Sequence, residues 1–303
     1  MGKFYYSFND YLKKRFGVRV HRLSLNAGFA CPNRDGTLSR EGCIFCNQEG
    51  FANFPKSNIS LEEQITDSIS FFKKRFKAEK FIAYFQNSTN TYASLDKLKK
   101  AYDTIKKFDD IVGLSISTRP DCIDEERLNL IKSYSDKYDV WLEYGLQSVH
   151  DKTLKDINRG HTFAQFRKAV EATAPKNIKT SCHVILGLSG EVGSDMMETA
   201  RAISNLPLSG VKIHILHVLK NTKLEDFYRQ GKIKLLEEEE YVGLVCDFLE
   251  HLNPDFVIMR LVSNAREDIL VAPKWINNKQ DILKKIDREF EKRGSRQGIK
   301  YAK

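Results

Sequence analysis

Three cysteines, Cys31, Cys43 and Cys46, fall in one segment, CPNRDGTLSREGCIFC, with the spacing C-x11-C-x2-C. Three thiolates from a single loop can hold a metal ion or an iron–sulfur cluster and leave one coordination position free. A four-iron cluster takes four cysteines when fully ligated, so a three-cysteine loop implies an open iron able to bind a small molecule. The same spacing also reads as half of a zinc site, with Cys122, Cys182 or Cys246 available to close it. On the loop alone both readings stand.

The chain of 303 residues is long enough for one large domain or two modest ones, and 41% hydrophobic residues supply a sizeable core. No apolar run reaches membrane length, and residues 3–22 mix aromatic and basic side chains, unlike a signal peptide. Six cysteines without a leader point to a reducing, cytoplasmic compartment, where clustered cysteines bind metal rather than form disulfides. Net charge is +9, and the last thirty residues hold ten Lys or Arg against four Asp or Glu. Such a basic segment suits an anionic partner, nucleic acid first. From charge alone a solvated helix face is the better reading.

Elements that could position the cysteines recur along the chain. Short apolar runs lie at 20–25, 81–85, 111–116, 140–146, 183–188 and 211–219, mostly about thirty residues apart, the length of a βα unit. Helical signals fill the gaps. Ser60 and Glu63 form a capping box ahead of an apolar stripe of Ile65, Ile69, Phe72 and Phe76. Ser94 precedes Leu95, Leu98, Tyr102 and Ile105, and Thr162 with Gln165 opens a helix carrying Phe166 and Val170. Four glutamates, 237–240, precede Val245, Phe248, Leu249 and Leu252 and suit the positive end of a helix dipole. Six alternating strands predict a parallel sheet, curled into a barrel or doubly wound. No G-x-G-x-x-G follows the first strand. The cysteine loop takes that place, where barrels carry their ligand loops. Beyond Leu224 a helical region with one more strand, 256–262, predicts a division into a core barrel, 1–225, containing the loop 31–46, and a basic C-terminal extension, 226–303.

Polar residues gather at the expected strand ends. They are Gln86, Asn87, Ser88, Thr89 and Asn90; Ser117, Thr118, Arg119 and Asp121; Glu143 and Gln147, with Arg159 just beyond; residues 187–190; and His214 and His217. Singly, each reads as a cap, a loop residue or a hydrogen-bonded histidine. Together they are costly inside apolar strands unless paired, and a large polar cofactor over a barrel mouth would use them.

At this point the motifs resemble a known family. The three-cysteine loop, with Phe45 directly before its last cysteine, is similar to the cluster loop of radical S-adenosylmethionine (SAM) enzymes. The blocks YFQNSTNTYA, GLSISTRPDCI, LEYGLQSVHDKTLKDINRGH and HVILGLSGE resemble the branch shared by the Elongator catalytic subunit and oxygen-independent coproporphyrinogen oxidase. More narrowly, FYYSFNDYLKKRFG, CPNRDGT, AYFQNSTNTYA, STRPDC, KIHILHVLKNTKL and LVAPKWINN resemble the MnmL/YtqA and YhcC group, from Phe4 to Tyr301.

The resemblance implies an α/β fold, a partial (β/α)6 TIM-like barrel with a helical C-terminal extension. It implies a 4Fe–4S cluster on Cys31, Cys43 and Cys46, with S-adenosyl-L-methionine on the fourth iron, cleaved reductively to a 5′-deoxyadenosyl radical. By the same resemblance Phe45 packs near adenine, and Asn87, Ser88 and Thr89 stand in the turn that meets the methionine amino group. Ser117 and Gln147 stand at ribose-contacting positions, Arg159 pairs with the methionine carboxylate, and Gly187 marks the strand that approaches adenine. Trp275, Asn277 and Asn278 are expected at a lid. The implied substrate is the tRNA wobble uridine, converted from 5-carboxymethylaminomethyl to 5-aminomethyl, with an electron donor such as flavodoxin or ferredoxin and no membrane partner. Lys284, Lys285, Lys292 and Arg293 are the expected tRNA footprint. Two other functions fit less of the pattern: radical chemistry on a small-molecule metabolite, and a non-catalytic metal-binding interaction module. Cys122, Cys182 and Cys246 read as small core residues.

Overall fold

The computed structural model describes residues 4–47 and 59–302. The apolar runs form one sheet of seven parallel strands: β1 (Val20–Leu25), β2 (Lys80–Phe85), β3 (Ile111–Thr118), β4 (Asp139–Gln147), β5 (Lys179–Leu186), β6 (Gly210–Ile215) and β8 (Val257–Arg260). Between β6 and β8, β7 (Val218–Leu219) pairs antiparallel with β9 (Leu270–Ala272) as a separate ribbon. Spatial order follows chain order, as expected of crossovers that keep one hand. The sheet curls into a half-barrel with helices around it. The expected partial barrel is therefore present, with a seventh strand added beside β6.

Helices α2 (Leu61–Phe76), α3 (Leu95–Asp103), α4 (Glu125–Lys132), α5 (Asp151–Asp156), α6 (Phe163–Thr173) and α7 (Gly193–Ser204) fill the connections from β1 to β6. After β7 come α8 (Lys223–Arg229) and α9 (Glu238–His251), and α10 (Lys279–Arg293) follows β9. Both capping boxes form reciprocally: Ser60 and Glu63 at α2, Thr162 and Gln165 at α6. Ser94 sits at the N-cap of α3 without a side-chain cap hydrogen bond.

Two strands differ from the sequence pattern. β5 begins four residues before the apolar run, because Thr180, Ser181 and Cys182 are buried in the sheet, and it stops where Gly187 turns to φ +83°. The run 211–219 is continuous in sequence but breaks at Leu216 and His217, after which the chain changes partner to β9.

The N-terminal ends of the strands are closed by the first helix, α1 (Phe8–Phe16). Phe8 and Leu12 pack with Val20, Ile82, Trp141 and Val257 into an apolar plug. Trp141 meets Phe8 and Tyr11 edge-on at 5.9 and 5.4 Å, and its indole N–H donates to Asp139 at 2.8 Å. The chain's two ends join nearby. Gln297 accepts from the Tyr6 amide at 2.9 Å and donates to the carbonyls of Asn253 and Phe256, both at 2.9 Å. With one end plugged, the strands' C-terminal ends are where an open cavity lies.

Trp141→Ala removes the centre of this plug and is expected to cost about 3–5 kcal/mol, read by chemical denaturation. A loss under about 1 kcal/mol would show that the plug does not support the barrel.

Candidate active site

The cysteine loop begins directly after β1 and is tied down by the chain that follows β4. Its first turn closes on the Cys31 carbonyl, which accepts from the amides of Arg34 and Asp35 at 2.8 and 3.1 Å; its last closes from the Cys46 amide to the Cys43 carbonyl at 3.0 Å. Between them, Asn158 donates to the Gly42 carbonyl at 2.7 Å, and the Ile44 amide donates to the Ile157 carbonyl at 3.1 Å. The Ile44 carbonyl in turn accepts from the Leu224 amide at 2.9 Å, so α8 braces the loop from the other side.

All three sulfurs border one cavity of about 400 Å³ at the open end of the half-barrel. Cys43 is buried, and its sulfur receives N–H groups from Asn33 at 3.6 Å and Arg159 at 3.5 Å. Burial, and next the neighbouring Cys43, push the Cys46 thiol up. Neighbouring thiols resist becoming thiolates together unless a cation shares their charge.

Around the mouth, β2 ends in a turn containing Asn87, Ser88 and Thr89, with the Thr89 amide bonded to the Ala30 carbonyl at 3.3 Å. Ser88 adopts φ +61° and Gln147 adopts φ +85°. Left-handed backbone at a non-glycine residue stores strain and concentrates at functional sites. Gln147 sits where the pairing of β4 and β5 slips by one residue, which aims its side chain at the cavity. Arg159 holds the same bulge from below: its Nε and Nη2 both donate to the Gly145 carbonyl, at 3.1 and 2.7 Å. A Cβ on Gly145 would lie 2.5 Å from Arg159 Nη2, so the guanidinium occupies space that only glycine leaves.

Deeper in the barrel lies a polar belt built from inward-facing strand residues. Glu143, fully buried, accepts from Ser115 at 2.5 Å and Tyr84 at 3.1 Å and bonds His183 at 2.9 Å. It pairs with Arg22 at 3.1 Å and Lys212 at 3.2 Å. Burial would raise its pKa, but Arg22 and Lys212 outweigh that and hold it well below the usual carboxylate range. His214 accepts from Arg260 at 2.9 Å, and burial, then Arg260, keep it neutral. His217 bonds the Ile215 carbonyl at 3.0 Å.

The structure thus brings together ten of the residues singled out by sequence: Cys31, Cys43, Cys46, Phe45, Asn87, Ser88, Thr89, Ser117, Gln147 and Arg159 all line the cavity. Gly187 is the exception. It faces Leu236, whose Cδ1 would lie 2.8 Å from a Cβ there, and Ile185, Ile215 and Leu216 form that stretch of wall instead. Of the residues expected at a lid, Trp275 packs on Tyr241 at 5.6 Å, the Asn277 side chain accepts from the Ala265 amide at 3.3 Å and Asn278 stands at the N-cap of α10; none is in the described lining. The C-terminal part of the chain contributes Arg260, Ser263 and Asn264 in their place. Cys182 and Cys246 are buried in the core, as expected, and among the described residues no fourth cysteine lines the cavity. Arg22, Tyr84, Lys212 and Arg260 were not singled out by sequence. The available signal was a charged or polar side chain at alternate, inward positions of otherwise apolar strands.

Comparison with known proteins agrees with this geometry. Residues 30–203 match the Radical SAM superfamily, and residues 208–292 match the Radical_SAM C-terminal domain. The chain is 38% identical to YtqA of Bacillus subtilis over 98% of its own length and 92% of that protein's. It is 35% identical to YhcC of Escherichia coli K12, over 95% and 92%. This chain belongs to the radical SAM superfamily. Among solved structures, Elp3 of Methanocaldococcus infernus shares the fold at a TM-score of 0.69 and 17% identity, over 92% of this chain and 64% of that one. Methylornithine synthase (PylB) does so at 0.54 and 14%, over 97% and 87%.

A radical SAM enzyme takes a 4Fe–4S cluster and S-adenosylmethionine, and the residues present fit that pair. The three cysteines line one cavity without a carboxylate in the described lining, two N–H donors point at Cys43, and Asn33 Oδ1 is buried without a partner. Replacing any one of Cys31, Cys43 or Cys46 by Ser is expected to abolish the cluster, measured as iron content and visible absorbance after anaerobic reconstitution; Cys246→Ala should keep both. At the strained turn, Ser88→Gly is expected to be tolerated, whereas Ser88→Val should lose about 1–2 kcal/mol in denaturation. Equal stability of the two variants would refute the strain.

Proposed function

We propose that this radical SAM enzyme modifies the tRNA wobble uridine, converting 5-carboxymethylaminomethyl to 5-aminomethyl. The observation that carries the reading is a row of exposed cations on α10, set among the exposed acids Asp281, Asp287 and Glu291. Lys284, Arg288 and Lys292 repeat every fourth residue and are all exposed. That spacing places them on one side of the helix, where three cations can meet successive phosphates. The expected footprint changes in one respect. Lys285 and Arg293 turn the other way: Lys285 pairs with Glu238 at 2.7 Å and Glu239 at 2.8 Å, and Arg293 with Asp247 and Glu289, each at 2.7 Å. They hold α10 on α9. A further support is a relative named tRNA uridine(34) acetyltransferase, from Methanocaldococcus infernus, 27% identical over 54% of this chain and 30% of that protein.

In this reading Cys31, Cys43 and Cys46 hold the cluster. Held there, a reduced cluster would supply the electron for cleaving a carbon–sulfur bond of S-adenosylmethionine, with flavodoxin or ferredoxin as its source. Arg159 presents its remaining N–H groups to the methionine carboxylate, a good match for a guanidinium. The turn at Asn87, Ser88 and Thr89 offers backbone groups to the methionine amine, Phe45 packs on adenine, and Ser117 and Gln147 meet the ribose. The apolar wall of Ile185, Ile215 and Leu216 limits water in the cavity.

The test incubates reconstituted enzyme with S-adenosylmethionine, reductant and tRNA bearing the unmatured uridine, and reads nucleosides and 5′-deoxyadenosine by mass spectrometry. Aminomethyl nucleoside in proportion to deoxyadenosine is the expected result. Deoxyadenosine without any nucleoside change would remove tRNA as substrate and favour a free metabolite. In binding, Lys284→Gln, Arg288→Gln and Lys292→Gln should each lower the salt slope of tRNA affinity by about 1, while Lys285→Gln leaves it unchanged. A slope unaffected by all three would sink the footprint.

A further inference from the structure

The described lining of the cavity carries a charge imbalance. The described lining includes Arg34, Arg119, Arg159, Lys212 and Arg260 and no carboxylate. Three of these cations are engaged near the mouth. Arg119 makes a two-point bridge to Asp121, 2.9 Å on each arm, Arg34 donates to the Cys46 carbonyl, and Arg159 donates to Cys43 and Gly145. Lys212 and Arg260 remain. They are register partners on β6 and β8, side by side on the inner face, with Arg22 reaching the same belt from β1. Against these three cations stands one carboxylate, Glu143, already shared among Arg22, Lys212, His183, Ser115 and Tyr84.

Among the described residues no other group supplies the missing negative charge. His214 is neutral as the acceptor for Arg260, and Tyr84 accepts from Lys212 at 2.6 Å while donating to Glu143. Arg260 Nε and Arg22 Nε are buried with no hydrogen-bond partner. Burial, and then Arg260 and Arg22, push Lys212 down to about 7 even with Glu143 adjacent. Buried cations left over in this way are costly unless something anionic joins them, and here they face an open cavity rather than packed protein.

We infer that Lys212 and Arg260 form a subsite for a carboxylate carried by the substrate, on the cavity wall made by β5, β6 and β8. The inference rests on the reading that substrate enters this cavity, and adds which of its groups is recognised and by which side chains. A guanidinium beside an ammonium matches the two oxygens of a carboxylate. Phosphate can also meet a guanidinium and an ammonium, so the experiment sets the two anions against each other. A substrate anchored there extends through the same cavity toward the cysteine loop.

The experiment uses the cluster-reconstituted protein saturated with S-adenosylmethionine, so that the Arg159 end is filled. Thermal melting is followed with added acetate, acetamide, phosphate or chloride at constant ionic strength and pH. Acetate is expected to raise the Tm progressively, as a ligand of the native state does, and acetamide and chloride to leave it unchanged. Lys212→Met and Arg260→Gln should each weaken the apparent acetate affinity about tenfold or more, and Lys212→Arg should restore it. The wild-type comparison of acetate with acetamide stands even where a variant folds poorly. Equal shifts from acetate and acetamide, no acetate shift at all, a shift that survives both substitutions, or a larger shift from phosphate would each overturn the subsite. This readout needs no tRNA, so an acetate response without tRNA modification would defeat the wobble-uridine reading alone.

Discussion

The carboxylate of Glu143, on the middle of β4 and without solvent exposure, collects partners from five other strands: Arg22 of β1, Tyr84 of β2, Ser115 of β3, His183 of β5 and Lys212 of β6. Burying one carboxylate costs several kcal/mol, which only well-aimed hydrogen bonds and counter-charges offset. Each partner reaches Glu143 only if its strand bends its inner face toward the barrel axis. A flat or doubly wound sheet, the alternative its βα rhythm allowed, would separate these groups and strand the charges. The curl and the polar belt therefore require each other. The same arrangement leaves cations in excess, so the interaction that closes the half-barrel also sets the electrostatic character of its cavity.

From that belt the molecule is layered along the barrel axis. Below it, α1 and Trp141 seal the N-terminal ends with apolar packing. Above it, the cysteine loop closes over the mouth, held by Asn158 and Ile157 on one side and Leu224 on the other. Arg159 joins the two levels, since one guanidinium touches both Cys43 and the Gly145 carbonyl at the β4 bulge. Strain at Ser88 and Gln147 falls at the same level. Rigid strands on either side hold these backbones in conformations they would not choose alone.

The C-terminal part of the chain takes part in both layers. β8 extends the sheet and supplies Arg260, while α9 packs on α7 and α10 packs on α9. Two of the ten C-terminal cations, Lys285 and Arg293, are consumed in that packing. Lys284, Arg288 and Lys292 stay on the exposed side of α10. Composition alone could not divide the two, because ion pairing depends on which face of a helix meets its neighbour.

Local signals were enough for much of this. The period of the apolar runs fixed the parallel strands, the capping boxes at Ser60 and Thr162 fixed helix starts, and the cysteine spacing marked the loop, because each depends on residues a few positions apart. Several mouth residues were legible for the same reason: Asn87, Ser88 and Thr89 directly follow β2, and Ser117 and Gln147 stand at the ends of β3 and β4. The neighbours of Gly187 and Trp275, Leu236 and Tyr241, were not legible because they lie dozens of residues away in sequence. Glu143, His214 and His217 stood out in the sequence, but the pairing within the polar belt belongs to the tertiary structure. Arg22, Tyr84, Glu143, Lys212 and Arg260 come from five strands spread over most of the chain, and which alternate residue points inward, and at what height, is decided by register and curl. The sequence by itself determined the elements and the metal-binding loop; only folding decided which charges meet inside the barrel, since electrostatic balance is a property of distances that no local pattern contains.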